Sequence, residues 1–257
     1  RTLQYKYGRV VKTFLGSKVY YYVLDPILAK SILNDSPHLF GPGTLKLDFF
    51  NKLMRNNVGV SRCKSHGRCP WKNRRKFNEE VVGTNKFIPL FNCLKDYVRT
   101  SLKNPPLNVD DFQQLAYKLT SKLFFGEEIY GEIIRGFAVS DKNKLFKSDV
   151  YINLRKIINE RKDATNCSIL SLCMGKKDIL DNIEDLEGQL PHIFMPFVVI
   201  ISSLVPMLLC VILSFRDIYE EIVKEINSDD FDIFSKSSYL HYCVIEHIRL
   251  FNTVNVN

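Results

Sequence analysis

Apolar residues recur at helical spacing over most of the chain, and alternate with polar residues as in a β-strand only near its start. Residues 9–23 hold two β-rich runs with Gly16 between them, which predicts a tight hairpin. A helix over residues 25–33 is expected next, because Asp25 can cap its first turn and Pro26 suits its first position. The pattern predicts a mainly α-helical fold with a small N-terminal β-sheet.

Further helices are predicted wherever apolar residues return every three or four positions. One is expected over residues 44–53, one from Trp71 and one over residues 91–102. The best patterned begins at two aspartates, and its apolar stripe is Phe112, Leu115, Leu119 and Leu123. Residues 126–186 are more polar and carry short helices such as 151–161. Without internal repeats or a low-complexity tract, residues 1–257 are interpreted as a single domain.

One segment is apolar enough to cross a membrane. Between Glu187 and Arg216 there is no Asp, Glu, Lys or Arg, so residues 190–213 meet the length and hydropathy criteria for a spanning helix. Pro196 and Pro206 count against this interpretation, and an amphipathic helix over residues 215–226 follows. The favoured prediction is a buried core helix whose prolines are accommodated by kinks or packing. A membrane anchor stays open as the alternative.

Composition and charge limit the class of partner. The chain carries a formal charge of +8 with a pI near 9.0, which favours acidic proteins, anionic membranes or nucleic acid. No zinc-ligand spacing or RNA-binding signature is present, so nucleic acid is not expected. The histidines form no metal pair at helical spacing, and His241 and His247 are expected to be exposed.

Seven cysteines, odd in number and without a Cys-x-x-Cys motif, suggest reduced intracellular thiols and not a disulfide framework. The first residue is Arg1 and the last is Asn257, so both ends look cut, and an upstream membrane anchor could be missing. No signal peptide is visible.

Two charged motifs carry the candidate chemistry. Trp71 and Arg75 are four residues apart, so a helix presents indole N–H and guanidinium on one face as a grip for an anion. Glu246 and Arg249 are three apart within the apolar stripe Leu240, Val244, Ile248 and Phe251. At least one of these two charges is expected to point inward and need a partner.

Trp-x-x-x-Arg on one helix followed by Glu-x-x-Arg on a later one resembles the cytochrome P450 family of heme-thiolate monooxygenases. Four weaker matches lie in the order the family has them, at residues 7–16, 23–33, 57–61 and 124–126. The resemblance implies a cytochrome P450-like fold, a heme cofactor and insertion of one oxygen atom from dioxygen into a small organic or lipid-like substrate. It also implies an electron-donating reductase, which the basic residues 68–76 could help to dock.

The resemblance also implies residue roles. Trp71 and Arg75 would bind a heme propionate, and Glu246 and Arg249 would hold the wall behind the heme-binding loop. Ser202 and Ser203 are the hydroxyls nearest the position where the family's central helix delivers protons. The acid–alcohol pair of that helix is missing, and a serine bonded to a helix carbonyl is an equally good interpretation.

One departure matters more than these matches. The family's iron ligand lies in a Phe-x-x-Gly-x-x-x-Cys-x-Gly loop, which these 257 residues do not contain, so no metal ligand is assigned. The chain is interpreted as a truncated, incomplete cytochrome P450-like domain that is inactive alone. Two alternatives stay open: a non-catalytic remnant of that fold, and a small membrane protein anchored by residues 190–213.

Overall fold

The structure is a computed structural model that describes residues 6–36, 39–41, 43, 47, 48, 50, 54, 57–61, 69–139, 148–161, 167–180 and 185–251, apart from the side chains of 84–87 and 139. Within these ranges lie one antiparallel sheet of two strands and eleven α-helices. The expected mainly helical fold with a small N-terminal sheet is therefore confirmed. The helix predicted over residues 44–53 falls largely outside the described residues.

The N-terminal hairpin forms as predicted. Strand β1 (Val10–Leu15) pairs with β2 (Lys18–Val23), in a register that sets the first residue of each opposite the last of the other. Gly16 turns the chain at a φ of 60°, a left-handed conformation that glycine adopts without strain.

Helix α1 (Pro26–Asn34) begins at the predicted cap. The carboxylate of Asp25 accepts hydrogen bonds from the backbone N–H groups of Ile27 and Leu28, both at 2.9 Å. Its other oxygen lies 2.6 Å from Nε of Arg9. The pKa of Asp25 is lowered, mainly by the bond from Leu28, because the ionised form is the better acceptor.

Three helices follow: α2 (Pro70–Val82), α3 (Thr84–Ser101) and α4 (Val109–Phe125). Asn108 caps α4 by accepting from the backbone N–H of Asp111, and Gly126 ends it at a φ of 81°. Of the predicted apolar stripe of α4 only Leu123 is buried, and the other three residues are half-buried. Ala116, Thr120 and Phe124 are fully buried because neighbouring helices cover a second face.

The middle of the chain is more regular than its polar sequence suggests. It forms α5 (Gly131–Val139), α6 (Asp149–Glu160) and α7 (Ile169–Gly175). Helix α6 matches the predicted helix over residues 151–161, whereas α5 had no separate prediction. A short 3₁₀ turn, Glu128–Tyr130, joins α4 to α5.

The long apolar segment is one continuous helix of 29 residues, Leu186–Ser214. It consists of α8 (Leu186–Val199), a π-helical turn (Ile200–Leu204) and α9 (Val205–Ser214). Helix α8 packs on α2, α4, α5 and α6, which confirms the predicted core helix for its first half. The prediction is wrong for the second half, where Leu213 is 70% exposed. Among the described residues, α9 packs mainly on the helix that follows it, so much of its surface is uncovered.

That next helix is α10 (Arg216–Ile226), and α11 (Tyr239–Leu250) follows it. The two are joined through Glu225, whose carboxylate accepts from the backbone N–H groups of Tyr239 at 2.6 Å and Leu240 at 2.9 Å. A carboxylate at a helix start satisfies unpaired N–H groups and suits the helix dipole.

Aromatic side chains fill the centre of the helical body. Phe194 of α8 meets Phe124 of α4 and Phe137 of α5 edge to face, with ring centroids 5.6 and 5.3 Å apart. Phe137 also meets Tyr151 of α6 at 5.0 Å. The first half of the apolar helix thus lies at the centre of the core.

The expectation of reduced cysteines is wrong in part. Cys93 of α3 and Cys167, just before α7, form a disulfide across 74 residues of sequence, and Cys69 is also disulfide-bonded. Closing a loop of that length removes chain entropy from the unfolded state equivalent to about 4 kcal/mol. The sequence gives no indication of this pair, because only the packing of α3 brings the two cysteines together.

Candidate functional site

Trp71 and Arg75 lie on α2 as the sequence predicts, with Trp71 half-buried and Arg75 facing solvent. The Arg75 side chain is 59% exposed, and its Nε lies 2.6 Å from Oε1 of Glu79, one turn further along. Among the described residues, the partner of Arg75 is thus a carboxylate at the protein surface. An anion could replace Glu79 with little loss, because an exposed pair of this kind contributes less than about 1 kcal/mol.

The neighbouring Arg74 is the buried arginine of this helix, and sequence reasoning missed it. Its Nη2 lies 3.0 Å from Oδ1 of Asp185, which immediately precedes α8. The two side chains are 10% and 3% exposed. This pair joins the Trp71 helix to the central helix. Adjacent arginines look alike in a sequence, and only the direction of each side chain from α2 distinguishes them.

The central helix widens at Ser202 and Ser203. From Ile200 to Leu204 it is a π-helix, and the N–H of Val205 donates to the carbonyl of Ile200 five residues back. Pro206 gives a local reason, since it has no N–H to donate into the preceding turn. The π turn packs on α4, and single π turns of this kind are frequent at functional sites.

Both serine hydroxyls of this turn bond to the helix itself. Ser202 Oγ donates to the carbonyl of Val198 at 2.7 Å, and Ser203 Oγ donates to that of Val199 at 2.6 Å. Each oxygen can still accept a hydrogen bond. This is the back-bonded arrangement that the sequence left open as the alternative to proton delivery.

Glu246 and Arg249 pair with one another on the surface of α11. Arg249 donates from Nε at 2.6 Å and from Nη2 at 2.5 Å to the two carboxylate oxygens. The hydrogen bond from Arg249 lowers the pKa of Glu246. Their side chains are 55% and 64% exposed, so the expectation that at least one charge points inward is wrong for the described chain.

The buried polar residue of α11 is instead His247, which is 4% exposed. The expectation that it is exposed is also wrong. Its ring lies 4.8 Å from that of Phe251, and neither ring nitrogen has a hydrogen-bond partner among the described residues. The signal was present in the sequence, because His247 continues the Leu240, Val244 and Phe251 stripe at helical spacing.

Three cysteines outside the disulfides lie among the described residues. Cys173 of α7 is fully buried, and burial raises its pKa well above the ordinary range, so it stays a protonated thiol. Cys210 is exposed on α9, and Cys243 of α11 is half-buried with a raised pKa, chiefly through burial. No group of three or more metal-ligating side chains occurs in the described ranges.

No protein-family model matches the chain, and no curated protein matches it in sequence. Among solved structures, a zebrafish cytochrome P450, determined with abiraterone, matches with a TM-score of 0.66 at 11% identity. The match covers 97% of this chain and 68% of that one. The chain therefore has a cytochrome P450-like fold.

That fold implies heme, and the described residues fit it only in part. Arg75 is exposed beside the half-buried Trp71, which suits a propionate contact. None of the free cysteines in the described part of the chain suits the iron: Cys173 is a buried thiol, and neither Cys210 nor Cys243 lies in a loop of the family's pattern. The side chains present thus fit the edge of a heme and not its iron.

Proposed function

We propose that this chain is the larger part of a cytochrome P450-like heme monooxygenase, a class that inserts one oxygen atom from dioxygen into an organic substrate. The observation that carries the proposal is the fold match over 97% of the chain. The Trp-x-x-x-Arg and Glu-x-x-Arg motifs add support, because they occur on separate helices in the family's order. The activity needs an iron-ligating loop that these 257 residues do not contain.

In this proposal Trp71 and Arg75 hold a heme propionate. The indole N–H and the guanidinium are donors, and a carboxylate removed from water needs charge-assisted hydrogen bonds. The Arg74–Asp185 pair holds α2 against the start of α8, which fixes the position of the Trp71 face. Glu246 and Arg249 have a structural role on α11.

The π turn is the proposed place for a proton donor. Ser202 and Ser203 lie where the central helix departs from α-helical geometry, in a turn that packs on α4. A hydroxyl can pass on a proton only when it breaks its bond to the helix carbonyl or receives a proton from water. We therefore propose these serines as weak substitutes for an acid–alcohol pair.

The partners follow from the class of reaction. A monooxygenase of this type needs an electron-donating reductase and takes a small organic or lipid-like substrate. The formal charge of +8 favours an acidic protein partner through electrostatic steering. Such docking should weaken as ionic strength rises.

The test compares two neighbouring cations on α2. In a longer chain that includes the cysteine loop, Arg75→Ala removes a charge-assisted hydrogen bond of about 1.5–3 kcal/mol and should weaken heme retention by roughly 10-fold or more. Lys72→Ala is the matched control, since Lys72 is exposed on the same helix. Heme transfer to apomyoglobin measures the loss. Equal retention in both variants would remove Arg75 from the proposed site.

A second candidate is a membrane protein anchored by the apolar helix. The observation that favours it is exposure: only 17% of the most apolar window of Leu186–Ser214 is buried, and that window has a mean hydropathy of 2.7. Sedimentation with neutral lipid vesicles tests it. If the unaltered chain binds the vesicles and the double variant Leu209→Lys with Leu213→Lys does not, the anchor is supported. If neither protein binds the vesicles, the anchor is excluded.

A further inference from the structure

The disulfide between Cys93 and Cys167 lies at the protein surface. Cys93 is on the exposed side of α3, and Cys167 precedes the cap of α7. Both line a partly open hollow of about 210 Å³ together with Leu94, Lys122 and Gly126. A small solute can therefore reach this cross-link without unfolding of the chain.

The wall of the hollow carries a positive charge. Lys122 lies in the last turn of α4, and its Nζ is 5.9 Å from the ring centroid of Tyr97 on α3. The hydroxyl of Tyr97 donates a hydrogen bond to Glu128. Lys122 thus adds a positive charge to the lining of the hollow that also contains the disulfide, and this charge attracts an anion that enters the hollow.

Helix α3 has few buried side chains to hold it in place besides this cross-link. Of its described side chains, residues 88–101, Leu90 alone is fully buried. It also packs on α2 and α4, where Leu94 touches the core, and is held by the Tyr97–Glu128 hydrogen bond and an edge-to-face contact between Phe91 and Phe234 at 5.4 Å. Opening the disulfide leaves α3 with little apolar surface to hold it, so its amide protons should exchange faster.

We propose that Cys93–Cys167 is a thiol-exchange site at which a small anionic thiol of the glutathione class forms a mixed disulfide. The thiolate sulfur of the small molecule bonds to one cysteine sulfur, and the Cys93–Cys167 bond breaks. The electron pair of that bond goes to the other cysteine, which leaves as a thiolate and takes a proton from solvent. A second small thiol then displaces the first and leaves two protein thiols and one oxidised small-molecule disulfide.

The first experiment detects the intermediate. The intact oxidised chain is incubated with reduced glutathione without denaturant, quenched with acid and mapped by peptide mass spectrometry. We expect a glutathione adduct on Cys93 or Cys167 and a free thiol on the other. Reduced glutathione adds only to existing disulfides, so Cys173, Cys210 and Cys243 serve as internal controls. The absence of an adduct on the pair until denaturant unfolds the chain would overturn the proposal.

The second experiment tests the role of the charge. Lys122→Met should slow the reaction with glutathione by about threefold to tenfold and leave the rate with neutral 2-mercaptoethanol unchanged. Lys118→Met is the matched control, because Lys118 is exposed one turn earlier on α4. Lys122→Arg should restore the rate, which separates a charge effect from a packing effect. Equal slowing by Lys118→Met and Lys122→Met would overturn the assignment to this hollow.

The third experiment measures the consequence for α3. Hydrogen exchange should rise severalfold across residues 84–101 after glutathione treatment, and should rise equally in Cys93→Ser without any thiol. Exchange in α8 should stay constant, because α8 lies in the core. Unchanged exchange in α3 in both cases would show that the cross-link does not hold this helix.

Discussion

Arg74 on α2 and Asp185 at the start of α8 form a buried ion pair, with 3.0 Å between Nη2 and Oδ1. Removal of one partner leaves the other charge in a site that excludes water. We therefore expect Arg74→Met to lower the free energy of unfolding by about 3–5 kcal/mol. Urea denaturation followed by circular dichroism measures the change.

Arg75→Met is the control for this prediction. Arg75 pairs with Glu79 in solvent, so its loss should cost less than about 1 kcal/mol. The double variant Arg74→Met with Asp185→Leu should recover part of the loss, since no unpaired charge remains. Equal effects of Arg74→Met and Arg75→Met would contradict the buried arrangement.

The two halves of the apolar helix should respond differently to substitution. Phe194 in α8 is fully buried between two aromatic rings, so Phe194→Ala should cost about 3–5 kcal/mol. Leu213 in α9 is 70% exposed, so Leu213→Ser should change stability by less than about 0.5 kcal/mol. Thermal unfolding of the two variants checks the contrast. A large loss in Leu213→Ser would mean that α9 is covered in solution.

Tyr97 should make the chain sensitive to alkali. Burial first, and then its hydrogen bond to Glu128, raise the pKa of Tyr97 to about 12. The folded state therefore holds this proton more tightly than the unfolded state, whose pKa is about 10. The stabilising contribution is complete below pH 10 and is lost as the pH rises toward 12.

Ultraviolet titration of tyrosinate measures this effect. Glu128→Gln should lower the pKa of Tyr97, because it removes the carboxylate that favours the protonated hydroxyl. Tyr97→Phe should delete the late-ionising component from the titration. A late-ionising component that persists in Tyr97→Phe would show that Tyr97 ionises normally.

Residues 1–257 alone should give no thiolate-type difference spectrum with carbon monoxide after reduction in the presence of heme. Cys173 is a buried thiol with a raised pKa, and the sequence contains no loop of the family's iron-ligating pattern. Appearance of that spectrum would mean that a cysteine of this chain binds iron. Cys210→Ser and Cys243→Ser would then identify which one.

The sequence was sufficient to predict elements whose defining contacts are between residues close together in the chain. Gly16 and the Asp25 cap predicted the hairpin and α1, because a turn and an N-cap involve residues within a few positions. The spacing of apolar residues likewise predicted α4 and the long apolar helix. The order of the Trp71 and Glu246 motifs pointed to the fold that the structure has.

Tertiary packing decided which side of each helix is buried. The sequence could not distinguish Arg74 from Arg75, because both follow Trp71 on one helix, and only the approach of Asp185 makes one of them a buried ion. On α11, packing likewise covers the face that carries His247 and leaves Glu246 and Arg249 in solvent. The Cys93–Cys167 bond also depends on α3 meeting the start of α7. The spacing of apolar residues determines that a helix has an apolar face. Contacts between residues far apart in sequence determine what covers that face.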